Sequence, residues 1–315
     1  MAYPVLLAGC ENEVGMRKKI CRIGIGITLA VVISLVIAVL SYSGVGVTCK
    51  IGTGGLPLPD CDLSAVPQSV TEDATELATE LFGDCQEKCD DFASQLLAVY
   101  SEARDKDFVM LFNPGGWGWS LLTDISPGWW SILAGIESEL DSLGYTSLLL
   151  NHLRTPETLV GCLNEPVEMM TLYPSKAEDL ASRVEFVTSH IPDLRIVIIG
   201  ECNGTVISDS VMNILQDNPR VYSIQIGPPF WHKNIVLDRT LLLNSNGIIP
   251  DSFSQGDFGA MIWGTIKALF GLSQPRDDQG NILYYVRAPG HDYWWHHPGV
   301  YSQIVNFLGE NFNRR

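Results

Sequence analysis

The sequence predicts an α/β fold built on a doubly wound, mostly parallel sheet. Six short apolar segments recur between residues 107 and 288, and several are rich in β-branched residues. Stretches with apolar residues at helical spacing separate most of them. That alternation is the pattern of a parallel sheet covered by helices on both faces.

The elements follow in order. DFVMLFN (107–113) reads as a strand. WWSILAGIESELDSLG (129–144) is amphipathic and ends in glycine, as a helix does. YTSLLLNHL (145–153) is a strand. SKAEDLASRVEFVTSHI (175–191) is a helix, with Ser175 placed as its N-cap and Glu178 three residues on. RIVIIG (195–200) is a strand and TVISDSVMNILQD (205–217) a helix. VYSIQIG (221–227) and TLLLNS (240–245) are strands, and DFGAMIWGTIKALFG (257–271) is a helix. ILYYVRA (282–288) is expected as the last strand. PGVYSQIVNFLGENF (298–312) is the last helix, with Pro298 at its start. One domain over 105–315 is the economical arrangement.

The N-terminal part has a different character. Residues 1–22 carry a local charge of +2 from Arg17, Lys18, Lys19 and Arg22 against Glu11 and Glu13. An uncharged apolar run follows from residue 23, and the next charge is Lys50. That is longer than the roughly 20 residues that span a bilayer. It predicts a transmembrane helix at 23–48, a cytoplasmic segment at 1–22, and everything after it outside. The competing reading is a cleaved signal peptide starting at Met16, with Ser41-Tyr42-Ser43 as the cleavage site. The run exceeds the roughly 7–15 residues of a signal core, which favours the anchor. Both readings put the folded domain outside the cytoplasm. Residues 49–70, rich in Gly, Pro and Cys, read as a linker, and 71–104 as a helical segment bracing the domain. The overall charge of −16 argues against nucleic acid as a partner, because phosphate demands a basic face.

Eight cysteines are present. Cys49, Cys61, Cys85 and Cys89 lie between the apolar run and the main domain, and four cysteines there read as two disulfides of undetermined pairing. A zinc site is disfavoured by the lack of a nearby histidine and of paired CxxC spacing. Cys162 and Cys202 remain, and a bond between them would silence Cys202.

Four strand ends carry residues suited to one site. Gly200-Glu201-Cys202-Asn203-Gly204 follows a strand and opens a helix. Small residues flank a nucleophile on so tight a turn, and Gly200 and Gly204 supply them. The helix that follows aims amides at the site. FNPGGWGWS (112–120) can present the amide of Gly116 or Trp117 to an oxyanion, together with that of Asn203. His291 stands between the last strand and the last helix, where a general base belongs. In LLLNSNGIIPDSF (241–253), Asn246 best fits the position that orients the histidine, with Asp251 as the alternative. Trp119, Phe230, Trp231, Tyr293 and Trp294 crowd the same loops and suit an apolar or ring-bearing acyl group, or a site near a membrane surface. Core packing is the plainer reading of these rings.

Together these motifs resemble the α/β-hydrolase fold family over residues 107–311. The chain order of nucleophile, acid position and histidine is that family's, and the GxCxG elbow is similar to that of dienelactone hydrolases. The resemblance implies hydrolysis of an ester, thioester or amide of a small-molecule or lipid-like acyl substrate, with no cofactor. Two departures from the family's usual triad stand out: Cys202 for serine, and Asn246 for a carboxylate. A thiolate–imidazolium pair needs only a hydrogen bond to hold the ring, which Asn246 could give, as in papain-like enzymes. A degraded triad would also lose its acid, so a silent membrane-tethered binding module is the alternative.

Overall fold

A computed structural model describes residues 50–52, 63–155, 159–235, 237–273, 280–283 and 286–313. The segment 1–22, the span 23–48, Cys49 and Cys61 lie outside the described residues. Among the described residues, no helix is long and apolar enough to cross a membrane.

The central sheet has six strands: β1 (Lys50–Gly52), β2 (Phe108–Asn113), β3 (Ser147–Leu153), β4 (Arg195–Glu201), β5 (Val221–Ile226) and β6 (Thr240–Leu243). Their order is β1-β3-β2-β4-β5-β6. Neighbours from β3 to β6 run parallel, and β1 pairs antiparallel with β3 at the edge. The sheet is therefore the mostly parallel one that the apolar segments predict. Two strands differ from expectation. Lys50–Gly52, at the start of the expected linker, supplies the edge strand. The last apolar segment does not join the sheet. It forms a separate small hairpin, β7 (Asn281–Leu283) with β8 (Val286–Arg287).

The helices are α1 (Gln68–Phe82), α2 (Gln86–Ala103), α3 (Pro127–Ser142), α4 (Leu159–Met170), α5 (Pro174–His190), α6 (Asn203–Ile214), α7 (Phe258–Leu269) and α8 (Pro298–Phe312). Alternate strand residues divide between two cores, as the period of a strand requires. Val109, Leu111, Ile196 and Ile198 face α1, α2, α5 and α6. Phe108, Met110, Phe112, Val197 and Ile199 face α3 and α8.

Local signals fix several boundaries. Ser126 caps α3 by accepting from the Trp129 amide, with Pro127 in the first turn. Asp257 caps α7 by accepting from the Ala260 amide. Ser175 is not the cap of α5. Tyr173 holds that position in a left-handed conformation, and its hydroxyl is drawn inward to Glu165. Helix α4 escaped the sequence pattern because Pro166 lies inside it. Cys85 and Cys89 are free thiols, so neither takes part in the expected disulfides. Cys89 instead donates to the carbonyls of Ala78 and Gly83, joining α1 to α2.

The approach of α6 to β2 is closer than any side chain allows. A Cβ on Gly204 would collide with the Asn113 carbonyl oxygen, and one on Gly200 would stand 2.7 Å from Ser208 Oγ. Glycine-to-alanine exchange inside a helix is ordinarily stabilising. Gly204→Ala is expected to destabilise the domain by about 1–3 kcal/mol or more through overpacking. Urea unfolding measures it, and a change under about 0.5 kcal/mol would contradict the close packing.

Candidate active site

The last residue of β4 is Glu201, and α6 begins at Asn203. Cys202 alone makes the turn between them, with φ 47 and ψ −115. A non-glycine residue with positive φ is strained, and the surroundings must enforce it. Here the Cys202 amide donates to the Ile226 carbonyl on β5, and its carbonyl accepts from the Thr205 amide and hydroxyl. The turn presents the side chain to a cavity of about 760 Å³ lined by Gly116, Trp117, Asn203, Trp231, His291 and Tyr293, among others. Cys202 is a free thiol, so no bond to Cys162 blocks it.

His291 reaches the same cavity from the loop before α8. Its Nδ1 lies 2.8 Å from Asp251 Oδ2, and it shares the cavity with Cys202, whose Sγ is 4.0 Å from Asn203 Oδ1. Asp251 is fully buried and heavily satisfied. Oδ2 also accepts from the Tyr293 hydroxyl at 2.6 Å and the Ser254 hydroxyl at 2.8 Å, while Oδ1 accepts from the amides of Phe253 and Ser254. Burial alone would raise the carboxyl's pKa. The hydrogen bonds and the charge of His291 outweigh it and hold Asp251 below the usual range. Burial likewise works against a charged imidazole, yet hydrogen bonds with Asp251 and Cys202 push His291 up to about 10.

Asp251, the alternative, occupies the orienting position expected of Asn246. Asn246 is committed elsewhere. Its Nδ2 donates to the carbonyls of Gly290 and Asp292, and its Oδ1 accepts from the amides of Ile248 and Ile249. It staples the loop after β6 to the loop that carries His291. The sequence fits both residues to the position; Asp251 lies five residues beyond Asn246, and the turn that Asn246 holds absorbs that offset.

The Gly-rich loop after β2 is gripped from beneath by Arg154. The guanidinium donates to the carbonyls of Pro114 and Gly116, the latter at 2.6 Å, and to Glu165 at 2.9 Å. Asn203 Nδ2 adds a bond to the Gly116 carbonyl. A trans peptide turns the Trp117 amide away from that carbonyl, and so away from Arg154. Glu165 also meets Lys176 and Tyr173, completing a buried ionic cluster that sequence reasoning missed. Its members are spread over three segments, and no local pattern joins them. The Gly115 amide donates to Glu201 Oε2 at 3.0 Å. Burial raises the Glu201 carboxyl against the pull of that bond and of His291.

Of the five rings expected to bind substrate, Trp231 and Tyr293 line the cavity. Tyr293 turns its hydroxyl to Asp251, so its polar end serves the loop. Trp119 stacks on Trp117 at 6.0 Å between centroids, and Phe230 packs edge-on against Trp231, Phe253 and Phe258. Trp294 donates to Asp292 and covers Gly128. Trp129 and Phe253, not among the five, do line it.

No family model matches the sequence, and no curated protein does. Among solved structures the chain is similar to Trichoderma reesei cutinase in complex with a C11Y4 phosphonate inhibitor. That match has 16% identity and a TM-score of 0.32, and covers 57% of this chain and 77% of that one. So loose a likeness says nothing about chemistry, and the site stands on its own geometry.

Two outcomes separate Asn246 from Asp251. Asn246→Ala removes the donor to the carbonyls of Gly290 and Asp292 and the acceptor of two amides, and is expected to cost about 1–3 kcal/mol of stability. At a temperature where the variant is folded, Cys202 should alkylate as in wild type. Asp251→Asn should slow that alkylation while costing the fold less than loss of the whole side chain.

His291 also sets a pH dependence. Its folded-state value of about 10 exceeds the ordinary value of about 6.5. The stability it contributes is therefore complete below about pH 6.5 and is lost as pH rises through 10. The gap in Tm between wild type and His291→Gln should be widest below that lower limit and close above pH 10. Thermal melts across this range test it, and a gap that widens with pH would contradict the assignment.

Proposed function

We propose that the chain is a membrane-tethered acyl hydrolase working through Cys202 and His291, with Asp251 orienting the imidazole. The observation that carries the reading is His291, bonded to the buried Asp251, in one cavity with Cys202 at an elbow whose backbone is strained. In a thiolate–imidazolium pair the proton already rests on His291, and the Cys202 sulfur attacks the carbonyl carbon of an ester, thioester or amide. The amides of Asn203 and Trp117 receive the developing oxyanion. Collapse breaks the bond to the leaving group, which takes the proton from His291. Water, deprotonated by His291, then cleaves the acyl-thioester, releasing the acid and restoring the thiolate–imidazolium pair. Only one departure from a hydroxyl-based triad remains, since the carboxylate is present. The apolar Trp129, Trp231 and Phe253 lining suits an uncharged acyl chain. The tether rests on the uncharged run 23–48 behind a cationic segment.

One observation favours a second reading, a silent binding module. Glu201 occupies the Gly115 amide, placing a carboxylate beside the oxyanion loop.

Hydrolysis of p-nitrophenyl butyrate by wild type, Cys202→Ala, His291→Ala and Asp251→Asn decides between them. The first two variants should lose turnover, and Asp251→Asn should lose about 10²–10⁴-fold in kcat. Iodoacetamide should label Cys202 more slowly in His291→Ala than in wild type. Absent turnover in wild type, with labelling indifferent to His291, would leave the binding module.

A further inference from the structure

Helix α7 presents the wrong face to solvent. Phe258, Ile262, Trp263, Ile266, Leu269 and Phe270 are all exposed, from 39% for Ile266 to 74% for Phe270. At 100° per residue these six side chains share an arc of about 140°. The inward face is small and partly polar: Met261 and Gly264 are buried, and the Thr265 hydroxyl accepts from the Arg287 amide. A surface helix ordinarily does the reverse. Lys267 is the only charged residue within α7, and its Nζ lies 5.9 Å from the centre of the Trp263 ring.

The apolar strip continues to the cavity. Phe258 packs on Phe230 at 4.9 Å, Phe230 on Trp231 at 5.1 Å, and Trp231 lines the cavity. The chain itself enters the domain at that end of the sheet. Lys50, the first residue of β1, pairs with Leu153, the last of β3. That is the carboxyl end of the parallel strands, where Cys202 stands. The uncharged run 23–48 precedes β1 with one residue between them.

We infer that the exposed face of α7 lies in the surface of a lipid bilayer, bringing the cavity mouth to the membrane. This rests on the tether proposed above, and not on turnover at Cys202. A net charge of −16 with one lysine on the helix excludes attraction to anionic headgroups as the cause. Apolar burial, with a tryptophan and a lysine at the edge of the apolar arc, is the mode that fits an interfacial helix. The substrate class follows: acyl esters held in the bilayer, reaching the cavity along Phe230 and Trp231.

The test uses the full chain reconstituted in phosphatidylcholine vesicles and in vesicles of dibrominated phosphatidylcholine, for wild type and Trp263→Phe. The difference in emission between the two proteins isolates one indole. That component should fall about twofold or more in brominated lipid, as an indole at the headgroup–acyl boundary would. An unquenched component in protein that floats with the vesicles overturns the inference, and points to another protein or a second copy on this face. Protein that fails to float overturns the tether and the inference together. Hydrolysis of p-nitrophenyl butyrate, read on the same samples, keeps the two proposals apart. Quenching without turnover sustains the lipid face and rejects the hydrolase, and turnover without quenching does the opposite.

Discussion

The left-handed turn at Cys202 is the constraint on which the site depends. A residue with a Cβ reaches φ 47 only when its neighbours leave no relaxed alternative. Three adjacent strands do so here. The turn is bonded to the end of β5, and α6 is drawn onto β2 so closely that Gly204 has no room for a methyl group. Register across β2, β4 and β5 therefore determines where the sulfur points. The energy stored at one residue is held by a core packed on both sides of those strands.

Two buried charged networks meet at this turn and serve different ends. Among the described residues no permanent cation bonds to the buried Asp251, and three side-chain donors and two amides satisfy both of its oxygens. A buried carboxylate so placed favours the charged imidazole. The Arg154, Glu165 and Lys176 cluster holds its own charges in mutual contact. Such clusters add little net stability because desolvation offsets attraction. Its consequence is geometric. Arg154 binds two carbonyls of the Gly-rich loop and so fixes which way the intervening amides face.

The sheet was legible because the strand segments are apolar on both sides, a signal that survives without any tertiary information. The last segment misled for the same reason. ILYYVRA has a strand's composition, yet its residues pair with each other in a hairpin beside α7. Cys202, His291 and the two elbow glycines were legible by order along the chain. Asp251 was less legible than Asn246 because distance along a loop is not distance in space. The Asn246 side chain folds its own loop back, and this carries Asp251 to the ring. Nothing local announces Arg154 either, since its partners Pro114, Gly116 and Glu165 become neighbours only when β2 and β3 pair.

Glu201 bears on both readings of the site. Its neighbour Cys202 and its partner Gly115 belong to the two loops that would receive an oxyanion. An amide donates to one anion at a time, so a carboxylate on Gly115 withdraws that donor and leaves the amides of Asn203 and Trp117. Glu201 also stands where burial disfavours its charge. Its ionised form is favoured there by the Gly115 amide, by the charge of His291 and by that of Arg154. Any step that moves the proton off His291 weakens that hold. Proton transfer during turnover and the hold on Glu201 are therefore coupled through one imidazole. In a silent module, with no proton moving, the Gly115 contact has no reason to break. The two readings of the site thus differ in whether the carboxylate beside Cys202 stays where it is.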